Sequence, residues 1–311
     1  MSEDALWPRA SAWLQHGTEA SRAAVETAAT SAASSGPVVD VAILGIQAHK
    51  TSISKTGANT TPAAVRAALQ RYSTWSWSHS VDVDSLTVHD FDDNTEPDSP
   101  QGESVTAGLT ALATDVSRLT LVIGGDNSVT YAAMRGAAPD LANAALITLD
   151  AHHDLRDGVS NGSPVRRLVE AGLPGKNIVQ IGIADFSNSA AYASRARDLG
   201  ITVIPRSTLR TKSVSEVWTQ ALAAVADAEV IYVDIDVDVC DRAEVPGCPA
   251  ATPGGISADE LRQFAFLAGA TAKVNCIDIT EIDATADSED QRTVRLAALL
   301  ILEACAGLAK R

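Results

Sequence analysis

Asp150-Ala151-His152-His153-Asp154-Leu155-Arg156 places two carboxylates and two imidazoles within five residues. It directly follows Ala144-Ala145-Leu146-Ile147-Thr148-Leu149, a short apolar run that reads as a buried parallel strand. Side chains alternate along an extended chain, so Asp150, His152 and Asp154 are expected on one face. The carboxyl end of such a strand is where open α/β sheets bind ligands. Carboxylate oxygens mixed with imidazole suit a divalent metal of intermediate hardness, such as Mn²⁺. A helix-capping Asp beside solvated histidines accounts for this stretch about equally well when it is taken alone.

Three more stretches shift that balance. Val230-Ile231-Tyr232-Val233 runs into Asp234-Ile235-Asp236-Val237-Asp238, where three carboxylates alternate with apolar residues. On one face they would repel each other unless cations neutralised them, and burying them without metal would be costly. Leu119 to Ile123 is strand-like and leads to Gly124-Gly125-Asp126-Asn127-Ser128, whose glycines allow a tight turn and close backbone approach. Val274 to Ile279 ends at Thr280-Glu281-Ile282-Asp283. One shared metal site above a sheet explains four apolar strands that all end in polar or acidic residues.

The order Gly-Gly-Asp-Asn-Ser, Asp-Ala-His-His-Asp, Asp-Ile-Asp-Val-Asp and a late Glu resembles the ureohydrolase (arginase–agmatinase) superfamily, over nearly the whole chain from about Val38. The resemblance implies a doubly wound, mostly parallel α/β sheet with helices on both faces, and a site for two Mn²⁺ ions. Carried over motif by motif, one ion would use Asp150, Asp154 and Asp236, with Asn127 where the family usually has His. The other would use Asp150, His152, Asp236 and Asp238, with Asp150 and Asp236 bridging. An amide is a poorer Mn²⁺ ligand than imidazole, so the site near Asn127 is expected to be weak or vacant. The resemblance also implies that Asp154 orients the attacking hydroxide and carries a proton, while Glu281 holds an amidinium. Trimers or hexamers are usual in the family, so a homo-oligomer is expected.

Finer features resemble formimidoylglutamases within that superfamily. Asp154-Leu155-Arg156 carries Arg where arginases and agmatinases usually carry Asn, and Ser160 to Arg166 and Gly182 to Ser189 are similar to further segments of that group. Asn161 occupies the loop in which arginases have a His. The implied substrate is N-formimidoyl-L-glutamate. A dicarboxylate needs cations near an acidic site, and Arg gives planar, bidentate carboxylate binding. Arg156 and Arg166 are therefore expected at the mouth of the site, with Asn188 and Ser189 adding neutral hydrogen bonds and Asn161 counted among the substrate-binding residues. Two other readings stand beside this one: an agmatinase-like or guanidino-acid hydrolase releasing urea, and a catalytically silent relative that binds a metal or ligand.

Composition bounds the rest. The chain has 311 residues, 46% of them hydrophobic, which excludes a disordered polypeptide. A net charge of −15 makes nucleic acid and anionic membranes poor partners. No apolar run is long enough to span a bilayer and no signal peptide is evident, so a cytoplasmic enzyme of small molecules fits. The four cysteines show no framework spacing; Cys240 and Cys248 are near each other in sequence, with a reduced pair the default. Residues 1–36 read as a helical extension of one or two short helices ending at Ser34-Ser35-Gly36-Pro37, and residues 37–311 as one domain of alternating strands and helices. The first strand is expected at Val38–Gly45 and another at Val81–Val88, with Asp90-Phe91-Asp92-Asp93 as an acidic turn after it. The loop from Gln47 to Thr61 is long enough to line a site; Lys50 and Lys55 within it, and His16, His49, His79 and His89 elsewhere, read as solvated or packing residues. His153 should point away from His152 and serve in hydrogen bonding behind the ligands. Arg242, where the family has Pro, leaves the geometry of the Cys240–Cys248 loop open.

Overall fold

The computed structural model describes residues 4, 6–30 and 36–311. The elements in order are α1 (Ala10–Thr30), β1 (Val39–Ile46), α2 (Thr61–Ala68), β2 (Trp75–Ser76), β3 (Val81–Asp82), β4 (Val88–Asn94), α3 (Pro100–Val116), β5 (Ser117–Ile123), α4 (Val129–Ala137), β6 (Ala144–Leu149), α5 (Pro164–Glu170), β7 (Ile178–Ile183), α6 (Ala190–Asp198), β8 (Thr202–Pro205), α7 (Val214–Ala224), β9 (Val230–Asp236), α8 (Ala258–Ala270), β10 (Val274–Thr280) and α9 (Arg292–Leu308). Eight strands form one sheet in the order β4-β1-β5-β10-β9-β6-β7-β8, and every neighbouring pair is parallel. β2 and β3 make a small antiparallel ribbon.

The apolar runs become strands because both faces of the sheet are covered. In β6 every residue is buried. Ala145, Ile147 and Leu149 face the core that holds α7, α8 and α9, while Ala144 and Leu146 face the one that holds α4 and α5. This is the doubly wound architecture that the alternating pattern predicts. The last helix belongs to the first core: Leu300, Ile301 and Leu308 are fully buried, and each such side chain contributes about 1.5–3 kcal/mol by burial. Capping boxes start α7 (Ser213 with Glu216) and α8 (Ser257 with Glu260).

Several boundaries differ from the expectation, each for a local reason. Among its described residues the N-terminal segment forms one 21-residue helix; Ser34 and Ser35, expected at its end, lie outside the described residues. Leu14 and Val25 are buried, as is Trp13, whose indole N–H donates to the Leu86 carbonyl at 2.9 Å. The stretch 81–88 is not one strand: it breaks into β3, a 3₁₀ turn at Val83–Ser85 and the start of β4. Asp90-Phe91-Asp92-Asp93 is then strand rather than turn. Its charges are tolerated because Arg66 binds Asp90 through two nitrogens and Asp93 through a third.

Sheet order matters most for function. β5, β10, β9 and β6 are consecutive neighbours, so the four strands that carry the chemical motifs end side by side. Strands lie about 4.8 Å apart, so these four ends span only about 14 Å.

Candidate active site

A cavity of about 300 Å³ opens at those strand ends, lined among others by His152, His153, Asp154, Arg156, Asn161, Asp236, Asp238 and Glu281. The chain turns sharply to present them. Asp154 and Glu281 both adopt left-handed backbone conformations, with φ of 51° and 64°. Such conformations cost non-glycine residues free energy and cluster at functional sites. Gly125 lets the β5 turn pack close: a Cβ there would stand 2.0 Å from the Ala48 carbonyl oxygen.

Asp150, His152 and Asp238 each offer a ligand atom within 4.8 Å of the others. His152 Nδ1 lies 2.7 Å from Asp238 Oδ2 and 3.6 Å from Asp150 Oδ1. Asp238 Oδ1 accepts from the Ala151 amide, and Asp236 Oδ1 accepts from the Asp238 amide, both at 2.9 Å. Asp150 is fully buried, and its Oδ2 has no hydrogen-bond partner. A buried carboxylate oxygen with no donor is costly, and a cation satisfies it. Burial, reinforced by the charge of Asp238, pushes the Asp150 carboxyl up to about 7. Burial pushes Asp154 and Asp236 well above the usual carboxylate range as well, with neighbouring carboxylates adding to the effect. For His152, burial works against the charged form, but Asp238 and Asp150 outweigh it and push the imidazole up to about 12. This donor set fits a divalent cation.

Asn127 departs from the expectation. Its side-chain nitrogen donates to Asp154 Oδ2 at 2.7 Å, while its oxygen takes the hydroxyls of Thr130 and Thr280 at 2.8 and 2.9 Å. An ionised carboxylate oxygen accepts and does not donate, so with Asp154 ionised the NH₂ faces it. Asn127 thus orients Asp154 instead of offering the cavity an oxygen. Its backbone N–H donates to Glu281 Oε2 at 2.8 Å, and Asn161 Nδ2 donates to Glu281 Oε1 at 2.8 Å. Burial, then the charge of Asp126, pushes Glu281 up to about 8.

Asp234 also departs. It does not share the cavity with Asp236 and Asp238, because β9 ends at Asp236 and Asp238 sits in the following 3₁₀ turn. Asp234 lies deeper, paired in register with Asp278 on β10 and fully buried. Asp278 Oδ2 takes the Tyr232 hydroxyl at 2.7 Å, and Thr130 Oγ1 lies 2.9 Å from the same oxygen.

Arg156 lines the cavity, and its guanidinium has no partner among the described residues. Gly162 packs against it: a Cβ there would come within 2.7 Å of Arg156 Cδ. Arg166 does not face the cavity. Its guanidinium binds the Arg156 and Gly158 carbonyls and Glu170, bracing the loop that carries Arg156. Asn188 lines the cavity, but its amide is spent on backbone, accepting from His153 N and donating to Ala151 O. Ser189 caps α6 by accepting from Tyr192 N. Tyr192, Ile53 and Ser54 line the cavity as well and went unsingled in the sequence; only the long Gln47–Thr61 loop hinted at the latter two. Lys50 pairs with Glu96 at the surface, and Arg242 binds the Cys248 and Pro249 carbonyls across its loop. The four cysteines are buried free thiols.

A parallel doubly wound sheet with a carboxylate–imidazole cluster at its carboxyl edge defines the class, a hydrolase-type metal site in an α/β fold. The chain belongs to the arginase family, whose model matches residues 39–307. Among its relatives is the formimidoylglutamase of Halalkalibacterium halodurans, 35% identical over 270 residues that cover 84% of each chain. That of Bacillus subtilis is 33% identical over 277 residues, 86% of each chain. The crystal structure of the Bacillus subtilis formimidoylglutamase superposes with a TM-score of 0.85 at 29% identity, covering 99% of this chain and 94% of that one. Trypanosoma cruzi formiminoglutamase with Mn²⁺ superposes with a TM-score of 0.80 at 26% identity, covering 92% and 98%.

Proposed function

We propose that this protein is a Mn²⁺-dependent hydrolase that converts N-formimidoyl-L-glutamate and water to L-glutamate and formamide. The observation that carries the reading is Arg156, whose guanidinium has no partner among the described residues and lies in the same cavity as the carboxylate–imidazole cluster and Glu281. One end of the cavity suits an amidinium and the other a carboxylate. The named relatives support the same substrate.

Asp150, His152, Asp154, Asp236 and Asp238 would hold two divalent cations. When bound, such cations supply Lewis acidity and an acidified water. Glu281, fixed by Asn127 N and Asn161 Nδ2, binds the amidinium by charge-assisted hydrogen bonds. Asp154, held at one oxygen by Asn127, keeps its other oxygen for the attacking water and passes that water's proton to the glutamate nitrogen. The oxygen of water bonds to the amidine carbon, the bond from that carbon to the glutamate nitrogen breaks, the water's second proton leaves the new carbonyl oxygen for the departing amine, and formamide leaves. Arg156 takes a carboxylate of the substrate, while Arg166 holds the Arg156 loop in place. Agmatine, with a distal amine, is repelled by Arg156.

We further read residues 1–36 as a helical extension on a domain of residues 37–311, the protein as a cytoplasmic homo-oligomer, and small molecules as its ligands. No helix among the described residues is long and apolar enough to cross a membrane. A substrate panel assayed with excess Mn²⁺ and scored by product tests the function. Formamide from formimidoylglutamate is expected; urea from agmatine or a guanidino acid, or no turnover of any of them, would sink the assignment.

A further inference from the structure

One buried polar group in the cavity has no part in the chemistry above. His153 lines the cavity yet is only 4% exposed. Its ring Nδ1 lies 2.7 Å from Gln180 Oε1, and Gln180 Nε2 donates to the His153 carbonyl at 3.0 Å. The second bond settles the first. A carbonyl only accepts, so the Gln180 atom facing it is the NH₂, and the atom facing Nδ1 is the oxygen. Nδ1 therefore carries the hydrogen, and in the neutral ring the lone pair is on Nε2. Gln180 is fully buried on β7, and Asn188 holds the His153 backbone N–H at 3.0 Å. The ring is thus fixed in place and in tautomer. Its Nε2 has no partner among the described residues, and the residue lines the cavity.

We propose that His153 is a specificity-determining residue whose Nε2 accepts the hydrogen of the substrate's secondary amidine N–H, the nitrogen that joins the reacting carbon to the rest of the molecule. This rests on the substrate reading above. The terminal NH₂ of an amidinium finds its acceptor in Glu281, and the distal carboxylate finds its donor in Arg156. The linking N–H is the donor left over, and His153 offers an acceptor in the wall of the same cavity. A carboxylate at this position would also accept that hydrogen, but it would repel a dicarboxylate substrate. A neutral imidazole accepts without adding negative charge. Gln180 is the positioning residue that dictates which ring nitrogen is free.

The test compares formimidoylglutamate with its N-methyl analogue, which lacks the linking N–H, in wild type, His153→Phe and Gln180→Leu. Wild type should favour the parent by ~10–100-fold in kcat/KM, the range seen when a buried polar group loses its partner. In His153→Phe the preference should collapse toward unity, because the acceptor is gone while the ring volume stays. Gln180→Leu leaves the cavity lining intact but frees the tautomer, and should cut the preference as well. A merely structural role would lower both substrates equally, and a steric clash with the methyl would persist in the Phe variant; either pattern, a preference unchanged in whichever variants fold, overturns the role of His153. Wild type releasing no formamide from the parent is a separate failure, that of the substrate reading, and takes this inference with it.

Discussion

At the residue scale, Asp154 and Arg156 are neighbours in sequence with opposite tasks. Asp154 is buried in a left-handed turn with one oxygen held by Asn127. Replacing it with Asn removes the proton carrier but keeps its shape. We expect kcat to fall by ~10²–10⁴-fold, the usual contribution of a positioned acid–base group, while Mn²⁺ still binds through Asp150, His152, Asp236 and Asp238. A near-normal kcat in Asp154→Asn, measured with metal content verified, would remove Asp154 from the mechanism. Arg156 is expected to act on binding. Arg156→Ala should cost about 1.5–3 kcal/mol, the range for a charged hydrogen bond, appearing mainly in KM for formimidoylglutamate. Titration kinetics in which KM stays at the wild-type value would show that the carboxylates bind elsewhere.

At the element scale, the loop from Arg156 to Gly162 shows how a side chain outside a cavity shapes it. Arg166, at the start of α5, ties the Arg156 and Gly158 carbonyls together, and the Arg156 amide donates to the Gly162 carbonyl at 3.0 Å. The loop also reaches Glu281 through Asn161, and Asn161 Oδ1 accepts the Ile53 amide at 3.0 Å, coupling it to the loop after β1. Arg166→Ala should therefore raise KM less than Arg156→Ala does and leave metal affinity unchanged. A KM effect equal to or larger than that of Arg156→Ala would mean that Arg166 meets the substrate directly. The same network explains why Asn161, read from sequence as a substrate contact, instead has its nitrogen on the residue that binds the amidinium.

At the scale of the whole molecule, the site concentrates negative charge in a protein that is already at −15. Asp150 is pushed up to about 7, Glu281 to about 8 and Asp126 to about 6, in each case by burial first. Carboxyls unfold with pKa values near 4. Between that value and the raised one the folded state binds more protons than the unfolded, so these groups make stability fall as pH rises from about 4 toward 8. Cations held at Asp150 and the neighbouring ligand carboxyls offset the part of the loss that arises there, and protons compete less with the metal as pH rises. The gain in Tm on adding Mn²⁺ to metal-free protein should thus be larger at pH 8 than at pH 5. A gain that is equal at both, or larger at pH 5, would mean that the cations bind away from these carboxyls.

The sequence alone determined the doubly wound class, because apolar runs too short to be helices alternate with helical segments, and only a parallel sheet covered on both faces buries them all. It also determined which strand ends carry chemistry, since acidic residues directly after buried strands are costly unless something neutralises them. Chain order could not show that β5, β10, β9 and β6 lie side by side; that depends on where each crossover packs its helix. Periodicity placed Asp234 on the face of Asp236 and Asp238, but the strand ends at Asp236 and a 3₁₀ turn re-aims Asp238, leaving Asp234 beneath. Residue type made Asn127 a candidate ligand, whereas the hydroxyls of Thr130 and Thr280, brought in from α4 and β10, turn its NH₂ toward Asp154. The partner of His153 was equally hidden: Gln180 lies 27 residues away on β7, and only parallel pairing with β6 brings its amide to the ring. Local sequence sets what each side chain can donate or accept, and long-range packing sets what it meets.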